Sequence, residues 1–92
     1  MKKLKIFYLD GCPYCAMARR AVRELIGETE SSGTEIEWID ERAEAELAET
    51  YDYYYVPAVF DGDRKLFEAH PSHDYADVLA GIRSALRDAR EL

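Results

Sequence analysis

No apolar run in these 92 residues approaches the ~20 needed to cross a bilayer. The Met1-Lys2-Lys3 start has the charge of a signal-peptide n-region, but the apolar run after it, Ile6 to Leu9, is cut off by Asp10 and falls short of the required length. The expected location is therefore the cytoplasm, away from membranes. Positive charge is scarce too. Twelve Lys and Arg face nineteen Asp and Glu, a net charge of −7, which leaves no broad basic face for a nucleic-acid backbone. Linkers, repeats and low-complexity tracts are missing, and the length suits one domain over residues 1–92, expected as a monomer. Histidine and cysteine number two each. A zinc site needs about four ligands, and the gap of two residues between His70 and His73 is shorter than the usual finger spacing, so no metal is expected.

What the chain does contain is regular punctuation. Residues 4–9 form a short apolar run ended by Asp10-Gly11, which predicts a buried strand. From Pro13, Met17, Ala18, Ala21, Val22, Leu25 and Ile26 recur at helical spacing up to Gly27. Ser31-Ser32-Gly33 reads as a loop, and residues 35–39 alternate as a half-buried strand. A second helix is expected over 41–51 with Leu47, Ala48 and Tyr51 as its stripe, followed by Asp52 in a left-handed conformation. Extended runs over 53–60 and 65–69 around Asp61-Gly62-Asp63 predict a hairpin. Ser72 is the expected N-cap of a last helix with Asp74 in its first turn and the stripe Tyr75, Val78, Leu79, Ile82, Leu86. The order β-α-β-α-β-β-α implies an α/β domain: a mixed four-stranded sheet with three helices, the first two strands parallel through a right-handed crossover.

Both cysteines fall in Cys12-Pro13-Tyr14-Cys15, between the first strand and the first helix. Unsatisfied peptide N–H groups at a helix N-terminus favour a thiolate, so Cys12 is the expected nucleophile. Pro13 suits the first helical position, where its missing N–H had no partner. Cys15, one turn on, is expected to be buried and to resolve a mixed disulfide formed on Cys12. A purely structural disulfide between residues this close would restrain the unfolded chain little. A redox dithiol is the reading that agrees with both the motif and its placement.

With these residues the chain resembles the glutaredoxins of the thioredoxin superfamily, along nearly its whole length. The tetrad is the one typical of dithiol glutaredoxins, and the stretch from Glu46 to Tyr51 leading to Val56-Pro57 is similar to that of thioredoxins. The resemblance implies a thioredoxin fold, a cis Pro57 facing the dithiol, and Val56 backbone groups open to an extended substrate. It implies a thiol-disulfide oxidoreductase without a bound cofactor. Its substrates would be disulfide-containing proteins or glutathione mixed disulfides, with glutathione or a thioredoxin reductase as electron donor.

Departures from the family pattern bear on that donor. Leu9 stands where glutaredoxins carry a cation for glutathione, and His70-Pro71 stands at their paired glycines; Asp74 keeps one acidic position and His73 replaces the other. Ile6 occupies the place of the buried thioredoxin aspartate. The expected site is Cys12 and Cys15 as the catalytic pair, with Pro13, Tyr14, Tyr55, Val56, Pro57, His73 and Asp74 binding substrate. Asp10 either opposes the thiolate or only shapes the turn, and Arg19 either stands near the dithiol and offsets Asp10 or lies on a solvated face. In an extended run Tyr53 and Tyr55 point one way and Tyr54 the other, with Tyr53 assigned to the core. His70 and His73 otherwise read as loop and cap residues. A function of another class also fits: a partner-binding module using the Tyr-rich acidic surface, its dithiol idle.

Overall fold

In the first strand Leu4 and Ile6 point to one side and Phe7 to the other, because side chains alternate along a strand, and all three are fully buried. Apolar residues on both faces require cover on both faces. The computed structural model describes residues 2–27 and 33–90, so the loop expected at Ser31-Ser32 lies outside the described residues. In chain order the elements are β1 (Lys2–Tyr8), α1 (Pro13–Leu25), β2 (Thr34–Asp40), α2 (Ala45–Glu49), β3 (Ala58–Asp61), β4 (Arg64–Glu68) and α3 (Tyr75–Asp88). The sheet order is β2-β1-β3-β4. β1 and β2 are parallel with Ile6 opposite Trp38 and Tyr8 opposite Asp40, while β3 runs antiparallel to β1 and to β4. Gly62, at φ +62°, turns the β3-β4 hairpin. This is the expected mixed sheet with the expected order of elements.

Leu4, Ile6 and Val59 pack with Ala18, Ala21 and Leu25 of α1 and Val78, Ile82 and Leu86 of α3. On the other face Phe7, Ile39, Ala58 and Phe60 are covered by Ala48, Tyr51, Tyr53 and Val56. The Phe7 ring centroid lies 4.7 Å from that of Tyr51 and 5.2 Å from that of Tyr53, contacts worth about 0.5–1.5 kcal/mol each beyond their burial.

Local expectations fail at five places, the first being Ile26, which lies just past the end of α1 and is exposed rather than on its packed stripe. α2 is one short helix because residues 41–44 form a turn, in which Asp40 Oδ1 accepts from the backbone N–H of Arg42 at 2.9 Å. Leu47 is 36% exposed, leaving Ala48 and Tyr51 as the packed stripe. No described non-glycine residue has positive φ, so Asp52 is not left-handed. β3 begins only at Ala58, and residues 53–57 form an irregular segment that does not alternate: Tyr53 is half-buried, whereas Tyr54 and Tyr55 are both exposed. The N-cap of α3 is Asp74 rather than Ser72. Its side chain accepts from the Asp77 N–H at 2.9 Å and the Asp77 side chain accepts from the Asp74 N–H at 3.0 Å, a reciprocal box that Ser72, two residues earlier, cannot form.

Candidate active site

The parallel pairing of β1 and β2 brings their C-terminal ends to one edge of the sheet, where α1 begins. Gly11, at φ +82°, makes the turn from β1, and Cys12 is the N-cap of α1 with Pro13 at the first helical position. The Cys12 side chain makes no capping hydrogen bond; its Sγ lies 3.9 Å from the Val56 carbonyl oxygen, to which it donates weakly. Cys15 is only 3% exposed, and the Leu9 N–H donates to its Sγ at 3.5 Å. Burial pushes the Cys15 thiol from 9.0 up to about 12, with Cys12 and the charge of Glu41 acting in the same sense and the Leu9 N–H opposing them. The pair thus consists of one accessible sulfur at a helix N-terminus and one buried sulfur held as a neutral thiol.

Cys12 opens onto a cavity of about 230 Å³. Tyr14, Tyr54, Tyr55, Val56, His70 and Pro71 wall it, and Leu9, Ala69 and Glu41 complete it. The Tyr14 hydroxyl donates to the Pro71 carbonyl at 2.6 Å, tying the first turn of α1 to the loop before α3. The Tyr55 and His70 rings meet edge-on at 5.4 Å. Glu68 anchors the tyrosine segment: one carboxylate oxygen accepts from the N–H groups of Tyr54 and Tyr55, both at 2.6 Å, and the other from Lys65 at 2.9 Å. Burial works against that carboxylate, but these donors together hold it below the usual value of 4.5. Glu41 accepts from the Tyr53 hydroxyl at 2.7 Å; burial first, and Glu41 second, raise the phenol above its ordinary value. A second cleft, of about 320 Å³, shares only Leu9 and Cys12 with the first and holds Pro13, Asp10 and Arg19.

Cys12, Tyr14, Tyr55 and Val56 therefore converge on one cavity, and Pro13, Asp10 and Arg19 on the adjoining cleft with Cys12 and Cys15. The Val56-Pro57 bond is cis, Pro57 is buried, and its carbonyl accepts from the Ala69 N–H at 3.0 Å. The Val56 N–H has no hydrogen-bond partner among the described residues. His73 and Asp74 are not brought to the cavity. The His73 ring accepts the His70 N–H at 3.0 Å and stacks on Phe67, and Asp74 caps α3. Sequence reasoning missed Glu41 and Tyr54; it set His70-Pro71 at the paired glycines of the family's ligand site, with a loop role for His70 as the alternative, and both residues do wall the cavity. Glu41 could have been found from its place just after β2, since ligands collect beyond the carboxyl ends of parallel strands. Among the described residues no group of three or more His, Cys, Asp or Glu side chains could hold a metal ion, and no helix is long and apolar enough to cross a membrane.

No protein-family model matches the chain, and no curated protein matches it. Among solved structures it is similar to a mutant thioredoxin from Halobacterium salinarum, with a TM-score of 0.59 and 24% sequence identity; the match covers 91% of this chain and 74% of that one. The likeness places the chain in the thioredoxin fold.

Proposed function

We propose that the protein is a cytoplasmic, glutaredoxin-like thiol-disulfide oxidoreductase that reduces protein disulfides or glutathione mixed disulfides. The carrying observation is the asymmetry of the two sulfurs: Cys12 stands at a helix N-cap facing a cavity, and Cys15 is buried one turn away. The Cys12 thiolate attacks one sulfur of the substrate; that S–S bond breaks, a Cys12-substrate disulfide forms, and the other half leaves as a thiolate that takes up a proton. Cys15 then gives up its proton and attacks Cys12 Sγ. The remaining half leaves as a thiol, and the Cys12-Cys15 disulfide keeps the record of two electrons passed to the substrate. The Val56 N–H and carbonyl offer backbone pairing to an extended segment beside the reacting sulfur. The chemistry needs no bound cofactor and a single copy of the chain suffices.

Turnover of a model disulfide tests this. Cys12→Ser should abolish it, whereas Cys15→Ser should block dithiol chemistry and keep a monothiol reaction with glutathione mixed disulfides, because an external thiol can replace the resolving one. Equal loss of every activity in both variants would remove the assignment of roles. Absence of any turnover in the wild type would favour the binding module with an idle dithiol.

A second reading concerns the donor. The cavity at Cys12 has no lysine or arginine among its lining residues, its acid is Glu41, and Leu9, His70 and Pro71 take up space there. Anionic glutathione meets no countercharge in it, which favours recycling by a thioredoxin reductase. Recycling of the oxidised protein by glutathione with its reductase, compared with thioredoxin reductase, separates the two readings.

A further inference from the structure

The second cleft, which reaches Cys12 and does not include Glu41, contains a cation with no carboxylate paired to it among the described residues. The Arg19 guanidinium carbon lies 4.7 Å from the Tyr8 ring centroid and 4.3 Å from that of Trp38. These two rings meet at 81°, so they form a corner around it. The corner follows from the sheet: Trp38 is opposite Ile6 in the parallel ladder, and Tyr8 is two residues on from Ile6, on the same face. Arg19 projects from α1 four residues after Cys15, one turn further along the helix. Its N–H donors nevertheless make no hydrogen bond or ion pair among the described residues, whereas the neighbouring Arg20 pairs with Glu24 at 3.4 Å. A guanidinium restrained by two ring faces has lost much of its side-chain freedom already, and its planar fork of donors matches a carboxylate. It lines a cleft that reaches both Cys12 and Cys15.

We propose that Arg19, held by Tyr8 and Trp38, is a carboxylate receptor that selects disulfides with an acidic group close to the reacting sulfur. This rests on the disulfide-reducing reading above and adds a substrate class to it. Asp10 lines the same cleft without pairing to Arg19, so it weakens the receptor. The selection runs against the protein as a whole. At a net charge of −7 the long-range field attracts basic peptides and repels acidic ones. A preference for acidic substrates must therefore have a local source, and its loss in Arg19→Gln distinguishes this cation from the N–H groups at the start of α1.

The test uses peptides of the form X-Gly-Cys-Gly-X, with X as Glu, Gln or Lys, joined by a disulfide to a chromophoric thiol and reduced in a single turnover by the pre-reduced protein. At low salt the Glu peptide should react about threefold to fivefold faster than the Gln peptide, with Lys slowest, and high salt should flatten the order. Arg19→Gln should bring the Glu-to-Gln ratio to about one, and Asp10→Asn, at an exposed turn position, should raise it. The order Lys, Gln, Glu in the wild type, or a ratio unmoved by both variants, overturns the proposal. The glutathione mixed disulfide separates sources: a loss in Arg19→Gln confined to the Glu peptide assigns the carboxylate to a peptide side chain, and a loss for both extends it to glutathione. Trp38, the single tryptophan, reports on the site without turnover. An S-methylated Glu peptide should change its emission saturably in the wild type and not in Arg19→Gln. That response without any turnover would sink the oxidoreductase reading and keep the receptor; turnover with neither the response nor a Glu preference would do the reverse.

Discussion

In the Cys12→Ser variant the remaining thiol, Cys15, should react with a small aromatic disulfide far more slowly in the folded protein than in the urea-unfolded chain. Burial is the leading cause of the rise of this thiol from 9.0 to about 12 and persists when Cys12 is replaced, whereas the smaller contribution of Cys12 goes with it, so the factors that follow are upper bounds. At pH 8 the thiolate fraction drops from about a tenth to about one part in ten thousand, a factor of about a thousand. The more basic thiolate is a better nucleophile, and a Brønsted slope of about 0.4–0.5 offsets about twentyfold of that loss. The net expectation is a reaction about fiftyfold slower, and poor access to a side chain that is 3% exposed slows it further. The assay is release of 4-thiopyridone from 4,4′-dithiodipyridine between pH 7 and 10, with and without urea. The folded rate should climb with pH through pH 10 without levelling. A folded rate within about threefold of the unfolded one at pH 8, or a plateau below pH 10, would show that Cys15 is not held as a neutral thiol. The asymmetry behind the proposed roles would go with it.

The same burial makes stability fall in alkali. The folded value lies above the unfolded one, so the contribution of Cys15 is complete below pH 9 and is lost between about 9 and 12, by up to about 1.4 kcal/mol per pH unit. Denaturant titrations across that range should show the advantage of the wild type over Cys15→Ser shrinking; a constant difference contradicts this. Glu68→Gln should lower stability by about 1 kcal/mol and reduce kcat/KM by loosening the Tyr54-Tyr55 wall. Because the Glu68 carboxyl is held low, the wild-type advantage should be present above about pH 4.5 and shrink as pH falls through the folded value, which a series of melts from pH 7 down into acid would reveal. Gly81→Ala should lower Tm. A mid-helix alanine ordinarily adds about 1 kcal/mol, but a Cβ here would enter the Phe67 ring, and overpacking of about 1–3 kcal/mol outweighs the gain. A raised Tm would mean that the ring yields freely.

By itself the sequence determined the elements whose signals are local. The strand-turn-helix around Cys12-Pro13-Tyr14-Cys15, the 3.6-residue stripes of α1 and α3 and the turn at Gly62 depend on neighbours a few residues away. The element order followed from them. Tertiary structure decided what depends on residues far apart in the chain. Tyr53 to Pro57 reads as a strand by its aromatic content, yet Glu68, thirteen and fourteen positions on, takes the N–H groups of Tyr55 and Tyr54 and holds them outside the ladder. Glu41, His70 and Pro71 meet Cys12 only because the sheet brings the ends of β1 and β2 together and folds the loop before α3 against α1. Arg19 shows the division most plainly. Helical spacing put it one turn from Cys15, where a solvated face is the commoner outcome, and only the parallel register that sets Trp38 beside Tyr8 decided where its charge is held. Periodicity fixes the direction a side chain takes from its own element, but the group it meets there belongs to another strand.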